Sequence, residues 1–528
     1  MTRKKEVKIF FKKRFFSIIF FAFFLIFFFS LHINSFSSPW ERDEGEYAYS
    51  AWLMERGETP YIGSFIQKPP LIIYTYYLTN LISPSAVWPP RLLGFLFTLA
   101  TCILLSLVVK KLYGFRAAWL ALWSSPLILL SPYLTALSAN TEKFMLLPLV
   151  GLIALFIFYN KKEKVITYFL AGVLASLAIL YKPIAFIPSC IIILYWLVNN
   201  YVIDKKISKF FLSALYIFLG AFVTTALSLL YFVTHGAIVE VWRQVVVYNF
   251  SYVADTKKYF PERFFHYSQI FWNNWWPIIL LALTSFFVKQ KYYLIFLILL
   301  IASLLSIITT TIGHYYLLLA PLLILLAAGS FSVILEKIKI KEEVIKNLFL
   351  FFFIIFIVSV SFCRTAEQFF LNPNTLSIWI YGDAEPFVSS RLMAEKIGQL
   401  TAEGDNIFVA GSESQIYYFS QRKSSSKFNI VYPLTIDTPQ RLEYQNLAIS
   451  DLKNRQPAAI ILPLSENSGL LNLSDKNIFL DYLDQELRDN YNLLGATTLD
   501  IDGNPAWVES KEIIDIKKLD MLLYIKKR

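Results

Sequence analysis

The chain has 528 residues, of which 56% are hydrophobic, and its formal net charge at pH 7 is +11. Soluble globular chains are typically about 45–50% apolar, so this composition favours a membrane protein. The lysines and arginines lie in short gaps between alternate apolar runs rather than on one soluble domain, which argues against a nucleic-acid-binding protein.

The apolar runs, taken in chain order, predict about eleven transmembrane helices within a membrane domain that spans residues 1–363. The basic segment Met1–Arg14 is expected to stay in the cytoplasm, so the first span carries residues 32–91 to the outer side. Lysine-rich gaps then alternate with outer loops, and a further long outer loop is predicted at Thr234–Asn274. Charge and hydropathy therefore predict one topology, with the N-terminus inside and the C-terminus outside.

The tail, residues 364–528, is more polar and carries only short apolar clusters, such as Asn406–Ala410 and Ala458–Leu462. These strand-like runs alternate with helix-like runs at Ser390–Thr401 and Leu480–Tyr491, a pattern typical of a small α/β domain. The predicted fold is thus a polytopic α-helical membrane protein with a C-terminal periplasmic α/β domain.

Ionisable residues are densest in the first outer loop, in the run Glu41-Arg42-Asp43-Glu44-Gly45-Glu46. An amphipathic stretch, Tyr47–Arg56, follows and is expected to lie along the membrane interface. A solvated loop, in which carboxylates balance nearby lysines and arginines, is the simpler interpretation. However, three further outer segments carry an ionisable group at the same predicted level: Glu142, Lys182 and His314. This convergence favours a shared site.

Three segments of the first outer loop resemble a known superfamily: Asp43-Glu44-Gly-x-Tyr47-Ala48, Lys68-Pro69-Pro70-Leu71 and Arg91-Leu92. This order resembles the GT-C glycosyltransferases, in the branch that contains protein O-mannosyltransferases and the lipid A aminoarabinose transferase. Leu180-Tyr181-Lys182-Pro183 is similar to that branch's lysine turn, and Gly313-His314-Tyr315-Tyr316 to its histidine–tyrosine segment. The resemblance covers most of the membrane region and implies a GT-C fold.

The resemblance implies that Asp43 is the general base of an inverting transferase. A polyprenyl phosphate is already a usable leaving group, so the protein must deprotonate the acceptor hydroxyl and offset the phosphate charge. Glu44 is expected to orient the acceptor or to support Asp43, and Glu142 is the second acidic residue of the predicted catalytic set. A simple pair between Glu142 and Lys143 is the alternative.

The predicted substrate-binding residues carry a positive charge or a hydrogen-bonding ring. They are Tyr47, Lys68, Arg91, Lys182, His314 and Tyr315. Ammonium and guanidinium groups suit a phosphate, and the histidine could bind phosphate, relay a proton or ligate a metal. The alternatives are a snorkelling role for Lys182, a helix-capping role for Arg91 and an interfacial role for His314.

Two positions depart from the family pattern, since many relatives have arginine where this chain has Glu46 and glutamate where it has Gln67. The second change removes a carboxylate that could serve a metal. We therefore predict no metal site and no obligate cofactor, with a divalent cation as the open alternative.

The predicted function is transfer of a sugar from a polyprenyl-phosphate donor to a lipid, glycan or protein acceptor outside a bacterial plasma membrane. A transporter or flippase of lipid-linked saccharides is the alternative, and it predicts intramembrane charges, broken helices near the midplane and inverted repeats. A non-catalytic assembly or sensor protein would use the tail, but nothing in the first loop requires one. The sequence does not identify the sugar or the acceptor.

Overall fold

The computed structural model describes residues 2–159, 164–256, 260–307, 312–338, 342–469 and 477–527. Among these residues, seven helices are long and apolar enough to cross a membrane, judged by length and composition. Shorter apolar helices lie where the sequence predicts further spans: Ser17–Ser30, Phe115–Leu129, Val165–Tyr181 and Tyr293–Ile307. The protein is a multi-pass membrane protein, and the total of about eleven spans stays a prediction.

The helices of the membrane part follow one another with short connections. They are α1 (Thr2–Ser30), α2 (Arg42–Glu55), α3 (Leu71–Asn80), α4 (Trp88–Tyr113), α5 (Phe115–Leu129), α6 (Thr141–Tyr159), α7 (Val165–Tyr181), α8 (Phe186–Asp204), α9 (Ile207–Thr234), α10 (Ile238–Trp242), α11 (Asn249–Thr256), α12 (Phe260–Leu283), α13 (Ser285–Val288), α14 (Tyr293–Ile307), α15 (Ala320–Lys337) and α16 (Glu343–Thr365).

The first outer loop folds into two helices, and the charged run begins the first of them. The Glu41 carboxylate accepts hydrogen bonds from the backbone N–H groups of Asp43 (2.9 Å) and Glu44 (3.2 Å), and the Glu44 carboxylate accepts one from the N–H of Glu41 (3.4 Å). This reciprocal capping box satisfies N–H groups that the first helical turn would otherwise leave unpaired. The sequence therefore starts α2 at Arg42 through local interactions alone.

The segment predicted as an open loop at Thr234–Asn274 is largely helical in its described residues. It contains α10, a π-helical turn at Arg243–Tyr248, α11 and most of α12. Non-helical backbone angles at Trp275 (φ −134°, ψ 24°) kink α12 just before Pro277. Proline cannot donate the helical hydrogen bond and its ring crowds the preceding turn, which explains a kink at this position.

Helices α7 and α9 cross closely because each has a glycine at the contact. A side chain at Gly172 would overlap the backbone of Ile217, and one at Gly220 would overlap the backbone of Phe169. Small residues allow helices to approach in this way inside a membrane. Since α7 ends at Tyr181, the crossing anchors the turn that carries Lys182.

The C-terminal part is a six-stranded mixed sheet with helices on both faces. Its helices are α17 (Pro373–Tyr381), α18 (Ser390–Leu400), α19 (Gln415–Ser420), α20 (Tyr432–Thr435), α21 (Arg441–Asn454) and α22 (Ile478–Asn490). Its strands are β1 (Asn406–Val409), β2 (Lys423–Ser424), β3 (Ala459–Pro463), β4 (Tyr491–Leu499), β5 (Pro505–Glu509) and β6 (Met521–Lys526), in the spatial order β2-β1-β3-β6-β4-β5. Strands β2, β1 and β3 are parallel, and the remaining pairs are antiparallel.

Alternate residues of the central strands point to opposite faces of the sheet, as strand geometry requires. Ile407 and Ile461 pack in one buried cluster with residues of α18, α19 and α2. Phe408 and Ile460 pack in another with residues of α21 and α22. One face of the sheet therefore shares its core with the first outer loop.

Helix α2 is buried between the membrane part and the C-terminal sheet. Trp52 donates its indole N–H to Gln421 (2.7 Å), the Tyr49 hydroxyl accepts from the Ser424 N–H (2.9 Å), and a side chain at Gly45 would collide with Gln415. Residues 44–53 are all buried. The expectation that this stretch lies along the membrane interface is therefore wrong, because its second face is covered by a domain more than 350 residues further along the chain.

Candidate active site

Asp43 is the second residue of α2, so its carboxylate projects from the helix N-terminus. Its Oδ2 atom accepts a hydrogen bond from the Tyr47 hydroxyl at 3.2 Å, one helical turn further on. The Nζ atom of Lys68 lies 3.7 Å from the same oxygen. About a fifth of the Asp43 side chain (22%) is exposed, whereas Lys68 is nearly covered.

Burial alone would raise the pKa of Asp43, but nearby cations reverse the effect. The charges of Lys68, His314 and Lys182, with the hydrogen bond from Tyr47, lower the pKa of Asp43 to about 2. Burial likewise opposes the charged form of Lys68, yet the Asp43 carboxylate raises the pKa of Lys68 well above its usual range. Both groups are therefore charged at neutral pH.

A second cluster surrounds Glu142, at the start of α6. Its Oε1 atom lies 2.8 Å from Lys182 Nζ and 3.7 Å from His314 Nε2. The other ring nitrogen of His314 lies 3.2 Å from the Thr135 hydroxyl, which holds the ring in place. The Lys182 ammonium also sits over the ring of Tyr315, 4.0 Å from its centre.

The Lys182 ammonium is buried but not saturated. Its Nζ atom lies 2.8 Å from Glu142 Oε1, which can accept one of its three N–H donors, and no further hydrogen bond of Lys182 Nζ is present among the described residues. Buried polar groups are nearly always hydrogen-bonded, so the unused donors call for an explanation. The remaining donors of Lys182 are available to a ligand.

Four chain segments that the sequence singles out therefore meet at one place. They are the first outer loop, the start of α6, the Lys182 turn and the 3₁₀ turn Gly313–Leu319. The segments also interact electrostatically, because Lys182 and His314 lower the pKa of Asp43. Asp43, Tyr47, Lys68, Glu142, Lys182, His314 and Tyr315 form this cluster, which we call the Asp43 site.

Glu44 and Arg91 do not belong to the Asp43 site. Arg91 donates two hydrogen bonds to the Glu44 carboxylate (2.9 and 2.6 Å) and others to backbone carbonyls of Ser35, Ser38 and Pro39. Glu44 also accepts from the backbone N–H of Ala139 at 2.8 Å. Our predictions of a catalytic role for Glu44 and of phosphate binding by Arg91 are corrected accordingly, because both side chains are saturated by internal partners.

Arg42, the residue before Asp43, is held by ion pairs that the sequence did not predict. Arg42 donates to Glu413 (2.8 and 3.0 Å) and to Glu385 (2.6 Å), both in the C-terminal domain, and also lies against the ring of Phe387. Glu413 lies 371 positions from Arg42 along the chain, and no local pattern links them. The C-terminal domain thus holds the first turn of α2, which carries Asp43.

The two positions that depart from the family pattern lie next to each other. The Glu46 carboxyl is on the same face of α2 as Asp43 and interacts with the backbone N–H of Gln67. Burial is the main reason that the pKa of Glu46 rises to about 8. The Oε1 atoms of Glu46 and Gln67 have no hydrogen-bond partner among the described residues.

The Asp43 site does not have the donor set of a divalent-metal site. Within the part of the chain that the structure describes, no group of three or more His, Cys, Asp and Glu side chains could hold a metal ion. Its carboxylates face lysines instead, and Gln67 is neutral. Activity without a divalent cation stays a prediction.

Part of the chain matches the model of a known protein family. Residues 67–231 match the family model for dolichyl-phosphate-mannose-protein mannosyltransferase. This range includes Lys68, Glu142 and Lys182, and it covers less than a third of the chain. No curated protein matches the chain by sequence.

Solved structures share the fold over nearly the whole chain. ArnT from Cupriavidus metallidurans bound to undecaprenyl phosphate is 15% identical, with a TM-score of 0.58 over 93% of this chain and 97% of that chain. The apo state of ArnT is 14% identical, with a TM-score of 0.56 over 94% and 98%. The Archaeoglobus fulgidus oligosaccharyltransferase tethered with an acceptor peptide is 11% identical, with a TM-score of 0.50 over 96% and 75%.

Similarity at such low identity shows the fold, while the family match is a match of sequence. Both findings agree with the fold that the resemblance of the first outer loop implies. The fold over nearly the whole chain is shared with ArnT, and residues 67–231 are similar in sequence to the family of dolichyl-phosphate-mannose-protein mannosyltransferases.

Proposed function

We propose that the protein is an inverting glycosyltransferase that moves a sugar from a polyprenyl-phosphate donor to an extracytoplasmic lipid, glycan or protein acceptor. The observation that carries this proposal is the Asp43 site itself. It combines an ionised, partly exposed carboxylate with the buried ammonium groups of Lys68 and Lys182, one of which has an unused donor. A base beside phosphate-binding cations is what transfer from a glycosyl phosphate requires.

In this mechanism Asp43 accepts the proton of the acceptor hydroxyl. The acceptor oxygen forms a bond to the anomeric carbon as the bond from that carbon to the phosphate oxygen breaks, and polyprenyl phosphate leaves with the electron pair. A single displacement of this kind inverts the anomeric configuration.

Donor binding also makes Asp43 a better base. In the free site, Lys68, His314 and Lys182 lower its pKa to about 2. A phosphate that binds Lys68 and Lys182 offsets their charge and adds a negative charge nearby, and both effects raise the pKa of a carboxyl group. The base would therefore gain proton affinity only when the donor is in place.

Lys68 and Lys182 bind the phosphate in this proposal, and Glu142 orients Lys182 from 2.8 Å. His314, held between Thr135 and Glu142, supplies a further ring nitrogen to the same region. ArnT, whose fold this chain shares, has been seen bound to undecaprenyl phosphate, and this supports a lipid phosphate of that class as the carrier. We place the enzyme in a bacterial plasma membrane, with the N-terminus in the cytoplasm and the Asp43 site outside.

Replacing the base tests the proposal. Asp43→Asn keeps the size of the side chain and removes the proton acceptor, so sugar transfer should fall by about 10²-fold to 10⁴-fold while expression stays normal. Mass spectrometry of envelope lipids, glycans and proteins, with and without the protein, first identifies the sugar and the acceptor. Transfer is then measured in membranes supplied with undecaprenyl phosphate carrying that sugar.

Asp502→Asn is the matched control. It makes the same chemical change in the exposed turn between β4 and β5, and it should leave transfer unchanged. Full activity in Asp43→Asn would remove the proposed base.

A further inference from the structure

Three buried polar atoms next to the Asp43 site have no hydrogen-bond partner among the described residues. They are Glu46 Oε1, Gln67 Oε1 and the hydroxyl oxygen of Tyr248. Glu46 is 3% exposed and Tyr248 is 1% exposed. Buried polar groups are nearly always hydrogen-bonded, so three such atoms in one region indicate a place that a ligand fills.

These atoms belong to one buried cluster, which we call the pocket. The Glu46 carboxyl interacts with the backbone N–H of Gln67, and Asn249, the residue after Tyr248, donates to the Gln67 carbonyl. Glu46 lies one helical turn from Asp43 on the same face of α2. Gln67 directly precedes Lys68, whose Nζ atom lies 3.7 Å from Asp43.

The pocket is held rigidly by the π-helical turn Arg243–Tyr248. Gln244 in this turn donates to the Tyr61 carbonyl (2.7 Å) and accepts from the Ile66 N–H (2.9 Å). Asn249 donates to the Gln67 carbonyl at 2.8 Å. Single π-helical turns occur frequently at functional sites, and this one presents Tyr248 to the pocket.

The chemistry of the pocket suits hydroxyl groups. Burial raises the pKa of Glu46 to about 8, so at neutral pH its carboxyl is mostly protonated and can both donate and accept a hydrogen bond. A phenol and an amide add further donors and acceptors, and the rings of Phe65 and Tyr248, 5.0 Å apart, provide an apolar wall. A pyranose or furanose ring offers several hydroxyl groups on an apolar ring.

The position of Lys68 identifies which sugar would enter. Lys68 Nζ lies 3.7 Å from Asp43 Oδ2, and Lys68 directly follows Gln67, so it connects the proposed phosphate position with the pocket. A sugar joined directly to a phosphate at Lys68 and Lys182 would place its ring hydroxyls beside Gln67 and Glu46. An acceptor, by contrast, must leave one hydroxyl beside Asp43 and has no reason to be anchored at Lys68.

We infer that Glu46, Gln67 and Tyr248 form a subsite that binds hydroxyl groups of the donor's sugar ring and so selects which sugar is transferred. This inference rests on the proposed function, since it needs a polyprenyl-phosphate sugar at the Asp43 site. A site built to hydrogen-bond a hydroxyl discriminates strongly against a ligand that cannot fill it, because its own polar groups are then left unpaired.

The test separates binding of the sugar from binding of the lipid phosphate. The affinity of the full-length protein in detergent is measured for undecaprenyl phosphate and for undecaprenyl phosphate carrying glucose, mannose, galactose or arabinose. Wild type should bind one glycosylated lipid more tightly than undecaprenyl phosphate alone. Glu46→Leu and Tyr248→Phe should each reduce affinity for that lipid by about 10-fold to 100-fold and leave affinity for undecaprenyl phosphate within about twofold.

Two further variants control the result. Glu46→Gln keeps a donor and an acceptor and should stay within about threefold of wild type for the glycosylated lipid. Tyr444→Phe removes a hydroxyl from the same aromatic group, 5.8 Å from the ring of Phe65, and should change neither affinity.

Three results would have different meanings. Equal loss of affinity for both lipids in Glu46→Leu and Tyr248→Phe would overturn the subsite, and so would a wild type that binds no glycosylated lipid more tightly than undecaprenyl phosphate. A wild type that binds none of the five lipids would instead contradict the proposed function itself.

Discussion

Two buried cation–carboxylate pairs of the membrane part differ in how many partners they have. The pair of Arg91 and Glu44 is completed by backbone carbonyls, a backbone N–H and a serine hydroxyl. In the pair of Lys182 and Glu142, the ammonium lies 2.8 Å from one carboxylate oxygen and has no further hydrogen bond among the described residues. The sequence presents both pairs alike, as charged residues at the outer ends of spans.

The difference shows that burial and charge alone do not mark a binding residue. A saturated buried pair stabilises the fold, and it has nothing left to offer a substrate. A buried ammonium with unused donors carries a cost that a bound anion would remove. The number of hydrogen-bond partners therefore distinguishes a structural ion pair from a binding residue, whereas the residue type does not.

The largest effect expected from this comparison is on stability. Arg91→Met removes the cation that pairs with the buried Glu44 carboxylate and the donor to three backbone carbonyls, so the free energy of unfolding should fall by about 3–5 kcal/mol. Lys182→Met should cost less than about 2 kcal/mol, because Glu142 keeps a hydrogen bond from the Thr141 hydroxyl (3.1 Å) and His314 nearby. Thermal unfolding of both variants in detergent checks the prediction, and equal destabilisation would break the comparison.

The next effect concerns binding of the lipid phosphate, for which Lys182 is expected to matter more than Arg91. Lys182→Met removes a charged donor, so affinity for undecaprenyl phosphate should fall by about 10-fold to 100-fold, as expected for a hydrogen bond to a charged group. Lys110→Met, in the exposed last turn of α4, is the control and should bind normally. Unchanged affinity in Lys182→Met would mean that its free donor does not face the phosphate.

The smallest expected effect is on the pH dependence of activity, which reports how Lys68 sets the charge state of Asp43. The pKa of Asp43 is depressed to about 2, with Lys68 as the first of the cations that lower it, so the carboxylate is lost only as the pH falls through that value. Lys68→Met should raise the pKa and move the acid limb of the profile of kcat/KM against pH upward by about one unit or more. The midpoint of the acid limb is compared, and not the height of the profile, because Lys68 also belongs to the proposed phosphate site and its loss would lower kcat/KM at every pH.

Lys427→Met provides the control for this pH profile, since Lys427 pairs with Glu240 away from Asp43. It should leave the acid limb in place. An unmoved limb in Lys68→Met would show that this lysine does not set the charge state of the base.

Local interactions explain what could be predicted. The capping box at Glu41 starts α2, alternating apolar residues place Ile407 and Phe408 on opposite faces of β1, and hydropathy outlines the spans. By contrast, the apolar cluster Gln415–Phe419, which is as short as the strand-like clusters, is the helix α19 packed on α2. Its conformation follows from that contact and not from its own pattern.

The sequence by itself determined the membrane class, and it predicts an outer position for the charged segments and Asp43 as the residue most suited to act as a base. Only the tertiary structure decided which charges are free and which are saturated. The physical reason is that the partners of a buried charge come from distant segments: Glu413 clamps Arg42 from 371 positions away, and Glu142 meets Lys182 only where two helices end. The sequence gives the type of a charged residue, but only the folded structure shows which of its hydrogen-bond donors and acceptors have no partner.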